Sequence, residues 1–518
     1  MKKMKKIFLI QTILILILFS SCKNDLNQSP ISVATTETFY RQPSDFLQGV
    51  NAVYNNLRGY PDRLYALSEV RSDNIYPIND VGRDHDPINN FSPGIAANVY
   101  VEEAWTTDFN GVFKANTVLD QLTRNASFVG NDALATRLSA EAKFLRAFYY
   151  FDLIRYYGKL PIIDHPVTAK EASTIGRSSV DSVYKAIIIP DLQFAIANLP
   201  TNYAGAFPKY TSADVGRATR YAAEALLGEV YMTRSGPTYG IEGPGLGVNE
   251  WGLAVPLFND IISSGQFAFN ASYANIFSYA NQNPSVNKEA VFDIMYVTGQ
   301  SPVLGASYPW YLVPNAYFNS LPNNANLSGS LGYPAVSTNF INSYTAADTR
   351  KAVTVHTTPF TYTGTVNVAP FFKKYLDTTK LPTASRFDYG INFIAIRYTD
   401  ILLLKAECVL HGAAGSQATD VDAVVNQVRA RAGLPAISNV TLTQLYDERR
   451  REFAAEGLRW FDLQRSGDLI TIMTAFEASD DAAVHKMNPV NKNYIIYPVP
   501  QSQMDAAPGL YLQNPGYN

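Results

Sequence analysis

Cysteine is nearly absent: the 518 residues contain two, Cys22 and Cys408. A disulfide-stapled scaffold is excluded, and a chain this long buries enough surface to fold without one. Cys408 sits in an apolar run and reads as a small core hydrophobe. Charge is sparse too, with Asp, Glu, Lys and Arg at 17% and a formal net charge of −3. No basic run is present to neutralise phosphates, so no nucleic-acid partner is expected. The five histidines, at 85, 165, 356, 411 and 485, are scattered, and HExxH, phosphate-loop and GxSxG motifs are missing. Asp80, Asp84, His85 and Asp86 cluster, but not at the spacing of an EF-hand loop. Gly243-Pro244-Gly245-Leu246-Gly247 lacks the strand and helix context of a nucleotide loop. No metal and no cofactor are expected. After residue 19, no apolar run approaches the roughly 20 residues that cross a bilayer as a helix.

The N-terminus is informative in what it does contain. Lys2, Lys3, Lys5 and Lys6 precede an apolar stretch from Ile7 to Phe19, interrupted by Gln11 and Thr12. That pattern reads as an export leader over residues 1–21. Leu18-Phe19-Ser20-Ser21-Cys22 looks like a lipobox, with Phe19 where Leu is more usual. Cys22 is then the lipidation site and no intrachain disulfide is open to Cys408. The alternative is an ordinary cleaved leader with an incidental cysteine. Losing the four leader lysines takes the net charge from −3 to −7. Each buried CH₂ of a lipid contributes about 0.8 kcal/mol, so several acyl chains anchor durably.

Beyond a tether over 22–43, apolar residues recur at helical spacing. Helices are expected over Ser44–Leu57, Val101–Leu122, Asp132–Tyr157, Val180–Asn198, from Thr211 to Ser235, and Trp251–Ser264. Thr211 and Asp214 form a capping-box pattern, as do Thr441 and Gln444. Leu64–Pro93 reads as irregular and polar. From about 266 to 393 helical periodicity fades, Pro, Asn, Gly, Ser and Thr increase, and β-like runs appear at Ala290–Tyr296 and Lys351–Val355. Helices return at Ile394–Leu410, Asp420–Ala432 and Leu442–Arg465. The expectation is a mainly α fold: a helical region over 44–265 and a C-terminal region over 266–518 carrying the insertion 266–393, together one compact unit. Small residues mixed with Leu and Tyr, as in Ala222–Tyr231 and Ala140–Tyr150, suit the close crossings of tetratricopeptide-like hairpins.

Several segments carry a resemblance. Ala140–Leu153 followed by Tyr156-Tyr157-Gly158 and Pro161 is one. Ile394–Leu404 with Ala406-Glu407, then Val425–Leu434, are others. Glu448–Phe453 with Glu456–Arg465, and the ending Tyr497-Pro498-Val499-Pro500 with Gln513–Tyr517, complete the set. With the lipobox, these make the chain resemble, over nearly its whole length, the SusD/RagB family of Bacteroidetes outer-membrane nutrient-uptake lipoproteins. The resemblance implies a tetratricopeptide-containing fold at the outer membrane that is not an enzyme but captures nutrients, as a lid over a SusC-like, TonB-dependent barrel. It implies a glycan ligand in most members and a peptide in some.

Arg397, Asp400 and Glu407 share a face of an apolar segment, and Glu448, Glu452 and Glu456 recur every four residues. Paired carboxylates could serve glycoside hydrolysis, but the surrounding arginines favour buried ion pairs. A glycosidase is therefore carried only as an alternative, and no catalytic residue is assigned. Trp460 and Trp251 read as core, while Trp105 is ambiguous. Trp310, in Tyr308-Pro309-Trp310-Tyr311 with Tyr317 nearby, is either a stacking platform for sugar rings or a loop anchor. The resemblance places the ligand surface on loops of the N-terminal third plus the insertion. Arg71, Asp73, Tyr76, Arg83, Asp86 and Asn89 are the polar candidates there.

Overall fold

A computed structural model describes residues 39–76, 84–283, 286–322, 335–413 and 418–517, without the side chains of 418 and 419. The leader, Cys22, most of the tether, Asp80 and Arg83 lie outside the described residues. The longer helices are α1 (Pro43–Asn55), α2 (Val99–Arg124), α3 (Asp132–Tyr157), α4 (Ile189–Asn198), α5 (Arg220–Ser235), α6 (Trp251–Ser263), α7 (Tyr398–Leu410), α8 (Ala418–Arg431), α9 (Leu442–Phe453), α10 (Arg459–Ser466) and α11 (Leu469–Asp480). Their starts are chemically defined. Asn98 Oδ1 accepts from the Tyr100 amide at 3.0 Å to open α2, and Asn131 Oδ1 accepts from Leu134 at 3.0 Å to open α3. These caps satisfy amides that the helix itself leaves unpaired. Gly158, at φ +68°, ends α3 in a conformation that disfavours other residues.

Packing runs along the chain: α2 on α3, α3 on α4, α4 on α5, α5 on α6, α6 on α7, and α7 on both α8 and α9. This is a stack of helical hairpins. Small residues set its closeness, since a Cβ on Gly111 would collide with the Tyr149 ring and one on Gly228 with the Phe258 ring. The insertion is partly β. Its strands form two-residue to five-residue antiparallel pairs: Ile75–Tyr76 with Ala335–Val336, Ala290–Ile294 with Phe393–Arg397, Val355–His356 with Phe371–Phe372, and Phe360–Tyr362 with Thr365–Asn367.

Several boundaries differ from expectation. The Thr211–Asp214 box is real, but it caps a single turn, Ser212–Asp214; α5 opens at Arg220, with Thr219 accepting from Ala222. Lys351–Thr354 is helical, and only Val355–His356 of that run is strand. Phe393–Arg397 is a strand before α7, because its buried apolar run pairs with Ala290–Ile294; short apolar runs do not distinguish strand from helix. The expected Leu442–Arg465 helix is broken between α9 and α10. Ala455 and Gly457 adopt φ of +66° and +76°, and their amides donate to the Glu69 carboxylate at 3.1 Å each. The supposedly irregular 64–93 stretch includes the helical turns Tyr65–Glu69 and His85–Asn89.

Candidate functional site

The start of α2 and the turn His85–Asn89 bring two rings face to face. His85 and Tyr100 lie 4.7 Å apart between centroids, with planes 4° apart. The insertion supplies the facing wall. Its turn Tyr308–Tyr311 begins with Pro309, which preorganises a helical φ. Phe387 lies 6.2 Å from Tyr311 in a near-parallel stack and 5.4 Å from Trp310. The Arg386 guanidinium lies 4.8 Å from the Trp310 ring centre and 5.0 Å from that of Phe387. Tyr100, Tyr311 and Phe387 are half-buried, so their rings keep access to solvent.

Asp62 adds a polar group to this aromatic patch. Its Oδ2 accepts from the Ser307 hydroxyl, whereas Oδ1 is buried without a hydrogen-bond partner among the described residues. Burial pushes this carboxyl up to about 7; the Ser307 bond opposes the shift and the charge of Glu103 adds to it. Burial likewise pushes the Tyr311 phenol up to about 12, with Asp62 and Glu103 contributing. Burial, then the charges of Tyr311, Asp62, Asp84 and Glu103, raise the Tyr100 phenol. Both phenols thus remain neutral hydrogen-bond donors near neutral pH. Aromatic faces beside neutral donors and one unsatisfied acceptor match a sugar, which has apolar C–H faces and hydroxyl edges.

The expected site residues separate into groups. Tyr311 belongs to the patch. Trp310 is 2% exposed and packs beneath Tyr311, Phe387 and Arg386, so it is a loop anchor rather than an open platform. Tyr308 is buried and its hydroxyl donates to the Asn392 carbonyl at 2.9 Å. Tyr317 is half-buried elsewhere, against His356, Phe360 and Phe371. Trp105 is 3% exposed and wedged among Phe109, Tyr157 and Tyr511.

Most of the polar candidates are used internally. Arg71 is fully buried, stacks 3.9 Å from the Phe91 ring centre and donates to the Tyr494 carbonyl at 2.8 Å. Asp73 accepts twice from Arg459, at 2.8 Å each; burial alone would raise its pKa, but Arg450 and Arg459 hold it at about 2. Tyr76 donates to Asp481 at 2.7 Å, and Asn89 donates to the Val70 and Ile75 carbonyls. These residues were expected on a surface loop. They are corrected to structural roles, because buried polar groups need partners and have found them. Asp86 stays half-buried next to His85, with Oδ1 unpartnered among the described residues.

The carboxylates of α9, Glu448 and Glu452, and Glu456 in the break after it are also structural. Glu448 pairs with Arg350, Arg429 and Arg451; Glu452 with Arg350, Arg397 and Arg431; and Glu456 with Lys374 and Arg397. Burial would raise Glu452, yet Arg431, Arg397, Arg350 and Lys374 together hold it at about 2. Such a group cannot deliver a proton near neutrality. Arg449 bridges Asp400 and Asp462, and Arg465 pairs with Glu407, which closes the stripe expected on α7.

Sequence reasoning missed Asp62, Tyr100, Arg386 and Phe387. Nothing local marks them: Tyr100 reads as one more helix-face tyrosine, and 286 positions separate it from Arg386. A stack of helical hairpins with an aromatic patch between α2 and the insertion defines an α-solenoid fold. Residues 348–517 match the model of the SusD family, and residues 33–232 match that described as "Starch-binding associating with outer membrane". The chain belongs to the SusD/RagB family. It is 26% identical to SusD-like protein P2 of Formosa agariphila, over all of both chains. It is 25% identical to a SusD-like protein of Bacteroides ovatus, over 86% of this chain and 80% of that one. Among solved structures, surface glycan-binding protein A from Bacteroides fluxus superposes with a TM-score of 0.75 at 24% identity, over 92% of this chain and 99% of that one. The protein of that name from Bacteroides thetaiotaomicron, in complex with laminarihexaose, gives 0.74 at 22% identity, over 92% and 100%. These likenesses establish a shared fold.

Proposed function

We propose that this protein is a non-catalytic, cell-surface glycan-binding lipoprotein. It holds oligosaccharides on the Tyr100–Tyr311–Phe387 patch and passes them to a SusC-like, TonB-dependent outer-membrane barrel. The observation that carries the reading is the pairing of half-exposed rings with the Asp62 carboxyl, whose Oδ1 has no hydrogen-bond partner among the described residues. Stacking covers a sugar's apolar face, while the neutral phenols and Asp62 address its hydroxyls. Relatives named as surface glycan-binding proteins support the ligand class. Cys22, lipidated in this reading, anchors the chain while the solenoid faces outward.

Isothermal titration with a panel of neutral oligosaccharides and peptides tests this. The expected result is saturable glycan binding without product release over hours, weakened about 10-fold or more in Tyr311→Ala. Binding of peptides alone would move the protein to the peptide-capturing branch of the family, and hydrolysis by pure protein would overturn the reading.

A further inference from the structure

A second cleft lies where the C-terminal segment crosses the chain that leaves α3. Its volume is about 830 Å³, and its lining includes Lys159, Arg177, Glu242, Lys492, Tyr511 and Leu512. That volume is in the range of small-ligand sites. Three cations and one carboxylate line this wall in a chain whose net charge is −3.

Arg177 is the unusual member. Its Nε donates to the Lys159 carbonyl at 2.9 Å and its Nη1 to the Leu512 carbonyl at 2.8 Å. Nη2 donates to the Tyr157 carbonyl at 3.0 Å and to Asn514 Oδ1 at 2.8 Å. Every one of these acceptors is neutral. Burial therefore pushes the guanidinium down to about 10, with Tyr511 and Glu242 opposing. The contrast with other arginines is direct. Arg397, Arg449 and Arg465 face carboxylates, and Arg71 is covered by the rings of Phe91 and Tyr497. Among the described residues Arg177 has no ion-pair partner, and neither have Lys159 and Lys492. The Lys492 ammonium overhangs the adjacent loop: a methyl group on Gly240 would sit 3.5 Å from its Nζ. Leu512, 83% exposed, and the half-buried Tyr511 ring add an apolar rim.

Three cations against one carboxylate beside apolar surface favour an anion attached to a partly apolar body. We infer that the Lys159–Arg177–Lys492 cleft binds the anionic group, sulfate ester or carboxylate, of an acidic saccharide. This rests on the reading of the protein as a glycan binder, but on residues separate from the aromatic patch. The same molecule would then hold a neutral stretch of a chain at one place and a charged sugar at another.

The test is titration of the full chain with four probes: a sulfated oligosaccharide, an oligouronate, their uncharged counterpart, and inorganic sulfate. The expected result is binding of the sulfated or the uronate probe at least 10-fold tighter than of the uncharged one. That preference should shrink as salt rises from 50 to 500 mM, as screening requires. It should vanish in Lys159→Gln/Lys492→Gln and persist in Tyr311→Ala. The two lysines line the surface and hold no ion pair, so the double variant should keep its melting temperature. Which charged probe binds identifies the anion. Equal affinity for charged and uncharged probes overturns the inference, as does inorganic sulfate matching the saccharides, or anionic lipid vesicles binding in their place. Weakened neutral-probe binding in Tyr311→Ala with the charged preference intact separates this cleft from the aromatic site.

Discussion

The guanidinium of Arg397 donates to Glu452 Oε1 at 2.8 Å, and both residues are buried. Arg397 ends the strand that leads into α7 and Glu452 lies near the end of α9, so this contact ties the strand–helix junction of one hairpin to the next. Removing one partner of a buried pair strands the other charge, at about 3–5 kcal/mol. Glu452→Gln should therefore lower the melting temperature strongly, because Arg350 and Arg431 lose a carboxylate as well. Calorimetry checks this; a near-wild-type transition would mean that the network relaxes easily.

The same network sets the acid limit of the fold. Asp73 and Glu452 are held at about 2, below their unfolded values. A depressed carboxylate contributes stability that is present above its unfolded pKa and is lost as pH falls through the folded one. Unfolding free energy should decline between roughly pH 4 and pH 2, and Asp73→Asn should flatten part of that decline. Denaturant melts across this window measure both.

Asp62 has the opposite sign. Its folded pKa, about 7, lies above the unfolded value, so ionising it costs stability as pH rises from roughly 4 through 7. A ligand hydroxyl that donates to the carboxylate favours the ionised form. Neutral-glycan affinity should therefore increase between pH 6 and 8, with Asp62→Asn removing that dependence. Titration at four pH values reads the effect directly.

Tyr311 and Trp310 should behave differently despite being neighbours. Trp310→Ala empties a buried site and should cost about 3–5 kcal/mol of stability. Tyr311→Ala should leave the melting temperature within a few degrees and weaken glycan binding about 10-fold or more. Equal loss of stability in both would dissolve the distinction between anchor and contact.

In the proposed function, anchoring rests on Cys22. Cys22→Ser should abolish incorporation of labelled palmitate and move the chain from the membrane fraction to the soluble one. Unchanged labelling would place the lipid elsewhere.

Much of the fold was legible in the chain. The Asp132–Tyr157 helix was read to the residue, because a wide apolar face and a terminal glycine agree. The C-terminal boundaries were less legible. A short apolar run such as Phe393–Ile396 looks the same as strand or helix until its partner, Ala290–Ile294, is known. The break at Ala455 depends on Glu69, which is nearly 400 positions away. The candidate site was only half legible. The insertion and its Tyr308–Tyr311 segment stood out by composition, yet Trp310 turned inward, and Arg71 and Asp73 found partners more than 350 positions away.

By itself, the sequence determined which helices form, because caps, spacing and small residues act within a few positions of one another. It also carried the family signatures. Tertiary structure alone decided which tyrosines stay exposed, which charges are cancelled, and which carboxyl is left unsatisfied. Burial and pairing are properties of surfaces that meet across the chain, and no local pattern records them.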